Sequence, residues 1–249
     1  MTQLSCTKSG TGGPALVLLH GFGGSGQAWA EIAGKLPGRV FAFDLPGHAG
    51  SLAVAGAGNA RAAAHAVLAA MDAEGVSAFH LAGHSMGGAV AALTALAAPD
   101  RVLSLTLLAP GGMGPDINMP LLRRFAEAVD ENALAGALAE MSNRDSSGTL
   151  DQARAMMDGR NAPGQRDMLL TIANGMTRDG RQGVIPAQAL AGLSMPVTVF
   201  WGKEDAVLPA SQASDMPAHF DVRLLPGLGH MLIEEAGEEI VQHLRSAIG

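Results

Sequence analysis

The sequence predicts an α/β fold in which a mostly parallel sheet is covered by helices on both faces. Short apolar runs typical of buried strands alternate with helix-like segments along most of the chain. At residues 83–87 the run Gly-His-Ser-Met-Gly joins an apolar strand-like stretch to an Ala-rich helix-like stretch. Because successive parallel strands need right-handed crossover connections, the alternation places helices on both faces of one sheet.

The order of the elements divides the chain into two parts. The runs predicted as strands are residues 15–19, 40–43, 78–82, 102–108, 196–201 and 222–225. The segments predicted as helices are residues 29–36, 59–74, 88–98 and 234–248. From residue 111 to residue 193 the pattern is helical with no convincing strand. We therefore expect a core of residues 1–110 and 194–249 and an inserted helical cap of residues 111–193.

The composition excludes several classes of protein. The chain has 249 residues, of which 48% are hydrophobic and 16% charged, so it is too apolar to be disordered and long enough to bury a large core. Its formal charge is −7, with lysine only at positions 8, 35 and 203. That balance argues against a nucleic-acid partner and against an anionic membrane surface.

The sequence lacks the motifs that metal sites, organic cofactors and membrane or secretory targeting require. Cys6 is the single cysteine, so neither an intrachain disulfide nor a Cys-rich metal site is expected. No histidines show metal-ligand spacing and no glycine loop has the form of a phosphate cradle, which predicts no metal and no organic cofactor. No basic or long apolar leader opens the sequence, and no segment is apolar enough to span a bilayer, so we expect a cytoplasmic protein.

Ser85 lies at the strand-to-helix corner and is the candidate nucleophile. So tight a turn requires residues without side chains two positions before and after the serine, and Gly83 and Gly87 occupy those positions. Such a corner exposes the serine hydroxyl and aims it rigidly.

A serine needs a histidine to take its proton and a carboxylate to orient that histidine. Asp205 follows the strand predicted at residues 196–201 and is the candidate acid, with Glu204 as its local rival. His230 ends the turn-rich loop after the strand predicted at 222–225 and is the candidate base. Each lies at the carboxyl end of a strand, where parallel strands bring their loops together.

Two backbone amides are the candidates for stabilising a developing oxyanion. The strand predicted at residues 15–19 ends in the glycine-rich loop 20–24, whose N–H groups can converge on one point. We assign the oxyanion hole to the amides of Phe22 and Met86.

Together these residues resemble the α/β-hydrolase superfamily, from about the first strand to the last helix. The resemblance implies an α/β-hydrolase fold and a serine hydrolase that cleaves an ester or related acyl bond of a small-molecule substrate through an acyl-enzyme. Residues 2–8 offer material for one strand where relatives commonly have two, so the usual first strand is expected to be missing. The oligomeric state is left open.

The chain is also similar to the hydrolase-like C-terminal part of proteins named as the acetyltransferase component of acetoin dehydrogenase. The matching runs are residues 20–24, 44–48, 109–115 and 229–231. The sequence shows no lipoyl-lysine domain and no H-x-x-x-D-G motif of dihydrolipoyl acyltransferases. Association with such a complex, and a non-catalytic binding module on a hydrolase fold, are therefore alternatives ranked below ester hydrolysis.

A further resemblance is to the meta-cleavage product hydrolases, which break a carbon–carbon bond beside a ketone. Residues 85–88 and 111–115 match, whereas His84 and Met231 depart from the pattern of that group. The resemblance implies that Arg160 binds a substrate carboxylate and makes carbon–carbon hydrolysis the first alternative to ester hydrolysis. The substrate-contact candidates are Gly21, Gly112, Met113, Arg160 and Met231. Methionine and leucine are frequent in the predicted cap, which favours small to medium apolar acyl groups.

Overall fold

The computed structural model describes residues 3–143 and 146–249, with the side chains of residues 146 and 147 left out. Its central feature is a sheet that has seven strands in the described residues. In chain order these are β1 (Cys6–Ser9), β2 (Ala15–Leu19), β3 (Arg39–Phe43), β4 (Phe79–His84), β5 (Val102–Leu108), β8 (Val197–Gly202) and β9 (Asp221–Leu225). A separate hairpin pairs β6 (Thr177–Arg178) with β7 (Arg181–Gln182).

The sheet order is β1-β3-β2-β4-β5-β8-β9, and its edge strand β1 runs antiparallel to β3. The other neighbouring pairs are parallel, as the strand–helix alternation predicted. Within the described residues β1 is the one strand before Ala15, in agreement with the expected loss of the usual first strand. The chain therefore has the α/β-hydrolase architecture.

Helices cover the faces of the sheet and fill the segment between β5 and β8. They are α1 (Ala30–Ala33), α2 (Ala60–Ala73), α3 (Met86–Ala97), α4 (Met119–Glu127), α5 (Glu131–Met141), α6 (Leu150–Arg160), α7 (Gln165–Gly175), α8 (Ala187–Ala191), α9 (Leu232–Glu235) and α10 (Gly237–Ile248). The Asn59 side chain caps α2 by accepting from the amides of Arg61 and Ala62. The helix predicted at residues 234–248 is interrupted at Ala236, so the structure has α9 and α10 in its place.

Residues 111–193 carry α4 to α8, with differences of detail from the sequence interpretation. The hairpin β6–β7 lies in this segment, where no strand was predicted. The Asp130 side chain caps α5 by accepting from the amide of Ala133. The Thr149 hydroxyl, next to the start of α6, donates to the carbonyl of Ala135. The division into core and cap remains a prediction.

The strands set the geometry of the candidate site because parallel strands end at one edge of the sheet. The loops that follow β2, β4, β8 and β9 all leave from that edge, and they carry the residues selected from the sequence. The sheet interior is apolar, with Leu18, Leu81 and Val199 at most 1% exposed. In the described part of the chain, residues 3–143 and 146–249, none of the helices could cross a lipid bilayer.

Candidate active site

Ser85 holds a strained backbone conformation at the corner between β4 and α3. Its φ is 54°, in the left-handed region that a residue with a side chain rarely adopts. A Cβ on Gly83 would lie 2.3 Å from the carbonyl oxygen of Gly87, and a Cβ on Gly87 would lie 2.4 Å from that of His20. Both glycines are therefore required by close backbone approach. The corner is further fixed because the Ser85 amide donates to the Leu108 carbonyl at 2.9 Å.

The side chains of Ser85, His230 and Asp205 form one hydrogen-bonded series. His230 Nε2 lies 2.9 Å from Ser85 Oγ, and His230 Nδ1 lies 2.7 Å from Asp205 Oδ2. Since a carboxylate can only accept, Nδ1 carries the proton and Nε2 is left to accept the serine hydroxyl. The side chains of His230 and Asp205 are 3% and 0% exposed, so both contacts are shielded from water.

Asp205 is held by more than its histidine. Its Oδ1 accepts from the amides of Val207 and Leu208, both at 2.8 Å, and its Oδ2 also accepts from the indole Nε1 of Trp201 at 3.2 Å. The local rival Glu204 instead accepts from the amide of Gly227 at 2.7 Å. The geometry thus favours Asp205 over Glu204 as the partner of the histidine.

The loop that carries His230 is fixed through its backbone. The His230 amide donates to the Met141 carbonyl, and the His230 carbonyl accepts from His84 Nε2 at 2.8 Å. The Glu235 carboxylate accepts from the amides of Gly229 and Met231, at 3.1 and 3.0 Å. The sequence analysis did not select Glu235 for this role, because no motif in the sequence links its carboxylate to the loop of His230.

Three further histidines are buried around the site in the neutral form. Burial lowers the pKa of His20 to about 4 and the pKa values of His48 and His84 to about 3. His20 Nδ1 donates to the Gly21 carbonyl, while its Nε2 accepts from the amide of Leu45. These histidines therefore support loops beside the site without adding positive charge.

The amides assigned to the oxyanion hole belong to two residues that line one cavity together with Ser85. Met86 is the first residue of α3, and the first amides of a helix have no acceptor within it. Phe22 follows β2 and lies next to Gly21, where a Cβ would approach the His84 ring to 2.9 Å. Phe22 and Met86 both line the larger of the two cavities described next.

Two cavities meet at Ser85. The larger, of about 1260 Å³, includes Met86 and Gly112 in its wall. The smaller, of about 320 Å³, is bordered by His230, Gly21, Met231 and Arg160. Phe22, Ser85 and Leu122 line both. Among the described residues, His230 borders the smaller cavity and not the larger.

The predicted substrate contacts fall into three groups. Gly21, Arg160 and Met231 border the smaller cavity, and Gly112 borders the larger. Met113 is 7% exposed, lies in the hydrophobic core and lines neither cavity, so the expectation for it is not supported. A core position is favourable for Met113 because an apolar side chain there is removed from water more completely than one in a cavity wall.

Arg160 is a buried residue, 2% exposed, and not a solvated surface charge. Its Nη2 donates to the carbonyls of Phe125 and Ala126, at 2.7 and 3.0 Å, and so caps the C-terminal end of α4. Its Nε and Nη1 have no hydrogen-bond partner within the described residues. Burial lowers the pKa of Arg160 to about 10, so the guanidinium remains charged at neutral pH.

The described ranges, 3–143 and 146–249, bring no three His, Cys, Asp or Glu side chains together as a metal site.

Comparison with known proteins identifies relatives of this chain. The chain is 36% identical over 237 residues to the dihydrolipoyllysine-residue acetyltransferase component of the acetoin cleaving system of Pseudomonas putida. That match covers 94% of this chain and 63% of the relative, so the chain spans just under two thirds of the relative's length. The sequence resemblance to this group is confirmed.

A second relative is the 2-hydroxy-6-oxononadienedioate/2-hydroxy-6-oxononatrienedioate hydrolase of Burkholderia vietnamiensis. It is 30% identical over 213 residues, which are 81% of this chain and 74% of the relative. Among solved structures, the meta-cleavage product hydrolase of Pseudomonas fluorescens superposes with a TM-score of 0.81 at 18% identity, covering 98% of this chain and 93% of that one. At that identity the superposition shows a shared fold. The model of the alpha/beta hydrolase family matches residues 16–243, and the chain belongs to that family.

Proposed function

We propose that this chain is a serine hydrolase that cleaves an ester or related acyl bond of a small, partly apolar substrate through an acyl-enzyme. The observation that carries the proposal is the hydrogen-bonded series Ser85–His230–Asp205 on a strained corner. A neutral serine is a weak nucleophile, and this arrangement supplies the base that activates it.

The reaction has two halves. In the first, Ser85 Oγ attacks the acyl carbon while its proton moves to His230 Nε2, and Asp205 stabilises the imidazolium through Nδ1. The amides of Phe22 and Met86 donate to the oxygen that becomes negative. His230 then returns the proton to the leaving group, which departs and leaves an ester on Ser85. In the second half, water attacks that ester while His230 takes its proton, and His230 then returns the proton to Ser85 Oγ as the carboxylic acid leaves.

The two cavities indicate where the leaving group and the acyl group of the substrate bind. A leaving group must lie beside His230 Nε2 to be protonated, and His230 borders the smaller cavity. The leaving group therefore belongs in the smaller cavity with Arg160, and the acyl group belongs in the larger cavity beside Met86.

The second candidate function is hydrolysis of a carbon–carbon bond, and Arg160 is the observation that favours it. Two guanidinium nitrogens of Arg160 have no hydrogen-bond partner among the residues that the structure describes, and the side chain borders the cavity assigned to the leaving group. Charged N–H donors form stronger hydrogen bonds with a carboxylate than with a neutral acceptor. In this second candidate function the leaving group would therefore carry a carboxylate. Ester hydrolysis ranks first because an alkoxide leaves more readily than a carbanion, and because His84 and Met231 depart from the pattern of the carbon–carbon hydrolases.

The test combines covalent labelling with ester turnover. We expect the purified protein to react with a fluorophosphonate probe and to hydrolyse p-nitrophenyl butanoate, and we expect Ser85→Ala to abolish both. Asp205→Asn should lower kcat by up to about 10⁴-fold, since the histidine then takes the wrong tautomer. The matched substitution Glu204→Gln, one residue away, should retain turnover near that of the wild type. Undiminished labelling of Ser85→Ala would refute the proposal.

A further inference from the structure

The larger cavity is a groove that starts at Ser85 and follows helix α3. The residues of α3 that line it at half-burial are Met86, Ala89, Leu93 and Leu96, spaced by three, four and three positions. That spacing forms one stripe along a helix. Other residues of the same helix that do not line the groove, such as Ala91, Ala92 and Ala95, are 0% exposed. One apolar face of α3 is therefore accessible from the groove, whereas the side chains on its other faces are packed against the rest of the protein.

The groove is long compared with a small acyl group. Between Met86 and Leu96 the helix rises about 15 Å, at about 1.5 Å per residue. An extended alkyl chain advances about 1.3 Å per carbon, given C–C bonds of about 1.5 Å. A chain of about 11 carbons would therefore reach from the nucleophile to the last turn of α3.

The walls of the groove favour an uncharged chain. They include Ala60 and Ala64 of α2, whose small side chains leave width, together with Ile185, Pro186 and Ala189. Among the described lining residues, Arg61 and His65 are the ones that can carry charge, and both are exposed on α2. The described part of this lining contains no acidic residue. Apolar walls with a polar outer margin suit an aliphatic chain.

We propose that the groove along α3 binds the linear acyl chain of the substrate, which makes the preferred substrates esters of medium-chain fatty acids of about eight to twelve carbons. This inference rests on the proposed serine hydrolase activity, and it extends the small to medium acyl groups expected from the sequence. The occupant is an acyl chain because the groove opens at Ser85, beside the amide of Met86, where the acyl carbon must lie.

A chain-length series measures the groove directly. With p-nitrophenyl esters of two to sixteen carbons, kcat/KM should rise by up to about fourfold for each methylene that the groove buries, and should level off near eleven carbons. Ala89→Phe narrows the groove about 6 Å from Ser85 along the helix, and Leu93→Trp narrows it at about 12 Å. The chain length of highest kcat/KM should fall to about four carbons in Ala89→Phe and to about nine in Leu93→Trp.

The matched control is Leu103→Trp. Leu103 is an exposed leucine of β5, 45% accessible, that lies outside both cavities. We expect its ratio of kcat/KM for the decanoate ester to that for the acetate ester to equal the wild-type ratio. The same ratio should fall at least tenfold in Ala89→Phe. If Leu93→Trp fails to fold by circular dichroism, Leu93→Phe provides the smaller obstruction at the same position.

Different failures have different meanings. Hydrolysis of acetate and butanoate with a flat chain-length profile, unchanged in both groove variants, would overturn the groove assignment and leave the serine hydrolase standing. If no ester is hydrolysed, the proposed function is refuted, and titration calorimetry with decanoate then tests the groove separately. Decanoate binding that Leu93→Trp weakens would support the groove assignment. Decanoate binding that is absent, or equal in the wild type and in Leu93→Trp, would reject it. If the wild type sediments as a dimer that Leu93→Trp dissociates, and the chain-length profile is unchanged, then a second copy of the chain covers the groove and the assignment to an acyl chain is wrong.

Discussion

At the scale of single residues, the candidate site depends on side chains and backbone atoms whose positions are fixed by many partners. Ser85 holds a positive φ because Gly83 and Gly87 let β2, β4 and α3 approach closely. Asp205 is fixed by two amides and an indole in addition to its histidine. This preorganisation matters because a displaced catalytic group loses much of its effect.

The substitution Arg160→Met tests whether the buried guanidinium binds a substrate carboxylate. Replacing Arg160 with methionine keeps an unbranched side chain of similar length and removes the charge that a carboxylate would meet. We expect Arg160→Met to lower kcat/KM for 4-carboxyphenyl butanoate about 10- to 100-fold, the worth of one charged hydrogen-bonded contact, and to lower it much less for phenyl butanoate.

The control for this prediction is Arg166→Met, which replaces an exposed arginine whose positive charge contributes to the lowered pKa of Arg160. It should leave the ratio of the two esters unchanged. Equal losses on both esters in Arg160→Met would mean that the guanidinium only caps the end of α4.

At the scale of elements, the loop between β9 and α9 holds the histidine in place. Its backbone contacts three separate parts of the chain: the Met141 carbonyl at the end of α5, the His84 ring and the Glu235 carboxylate. Each contact restrains a loop that connects the sheet to a short helix. The position of the His230 ring is therefore set by its neighbours as much as by the loop itself.

Glu235→Gln tests this arrangement. Glu235 is a positioning residue, because it contacts the backbone on both sides of His230 and not the reacting atoms. The amide keeps the size of the side chain but leaves one of the two N–H groups without a carboxylate oxygen. We expect kcat for p-nitrophenyl butanoate to fall about tenfold with little change in KM, since a misplacement of about 1 Å can cost about 100-fold.

Glu239→Gln is the matched control, since Glu239 is exposed in the first turn of α10. It should behave as the wild type in both kinetic constants. A kcat for Glu235→Gln equal to that of this control would show that the carboxylate does not position the histidine.

At the scale of the whole molecule, buried neutral histidines link stability to pH. His20, His48 and His84 are at most 4% exposed, and burial lowers their pKa values to about 4, 3 and 3. In the unfolded chain a histidine titrates near its ordinary pKa of 6.5. Between about pH 6.5 and about pH 4, the unfolded chain therefore binds protons that the native protein does not.

We predict that the free energy of unfolding falls as the pH is lowered from 7 to 5. The slope should approach about 1.4 kcal/mol per pH unit for each of the three histidines, because stability rises with pH wherever the unfolded state binds more protons. Urea unfolding at pH 5, 6 and 7 measures this slope. His48→Gln should reduce it by the share of one histidine, whereas His65→Gln, at an exposed position, should not. An unfolding free energy that is the same at pH 5 and pH 7 would contradict the prediction.

Local patterns in the sequence predicted the fold and the order of its strands and helices along the chain, and they selected Ser85, Asp205 and His230, whose side chains lie within hydrogen-bond distance in the structure. These patterns depend on short-range signals: apolar runs for buried strands, glycines at one tight corner, and loops at strand ends. The fold class also requires that those loops share one edge of the sheet, so residues far apart in the chain are brought together.

The tertiary structure decided what depends on contacts between distant segments. Arg160 is buried and caps α4, Met113 lies in the core, Glu235 holds the His230 loop, and the larger cavity runs along α3. No spacing along the sequence specifies these partners, since a side chain selects among many acceptors only after the helices have packed. The residues of the candidate site were therefore predictable from local sequence, whereas the shape of the cavities beside it was not.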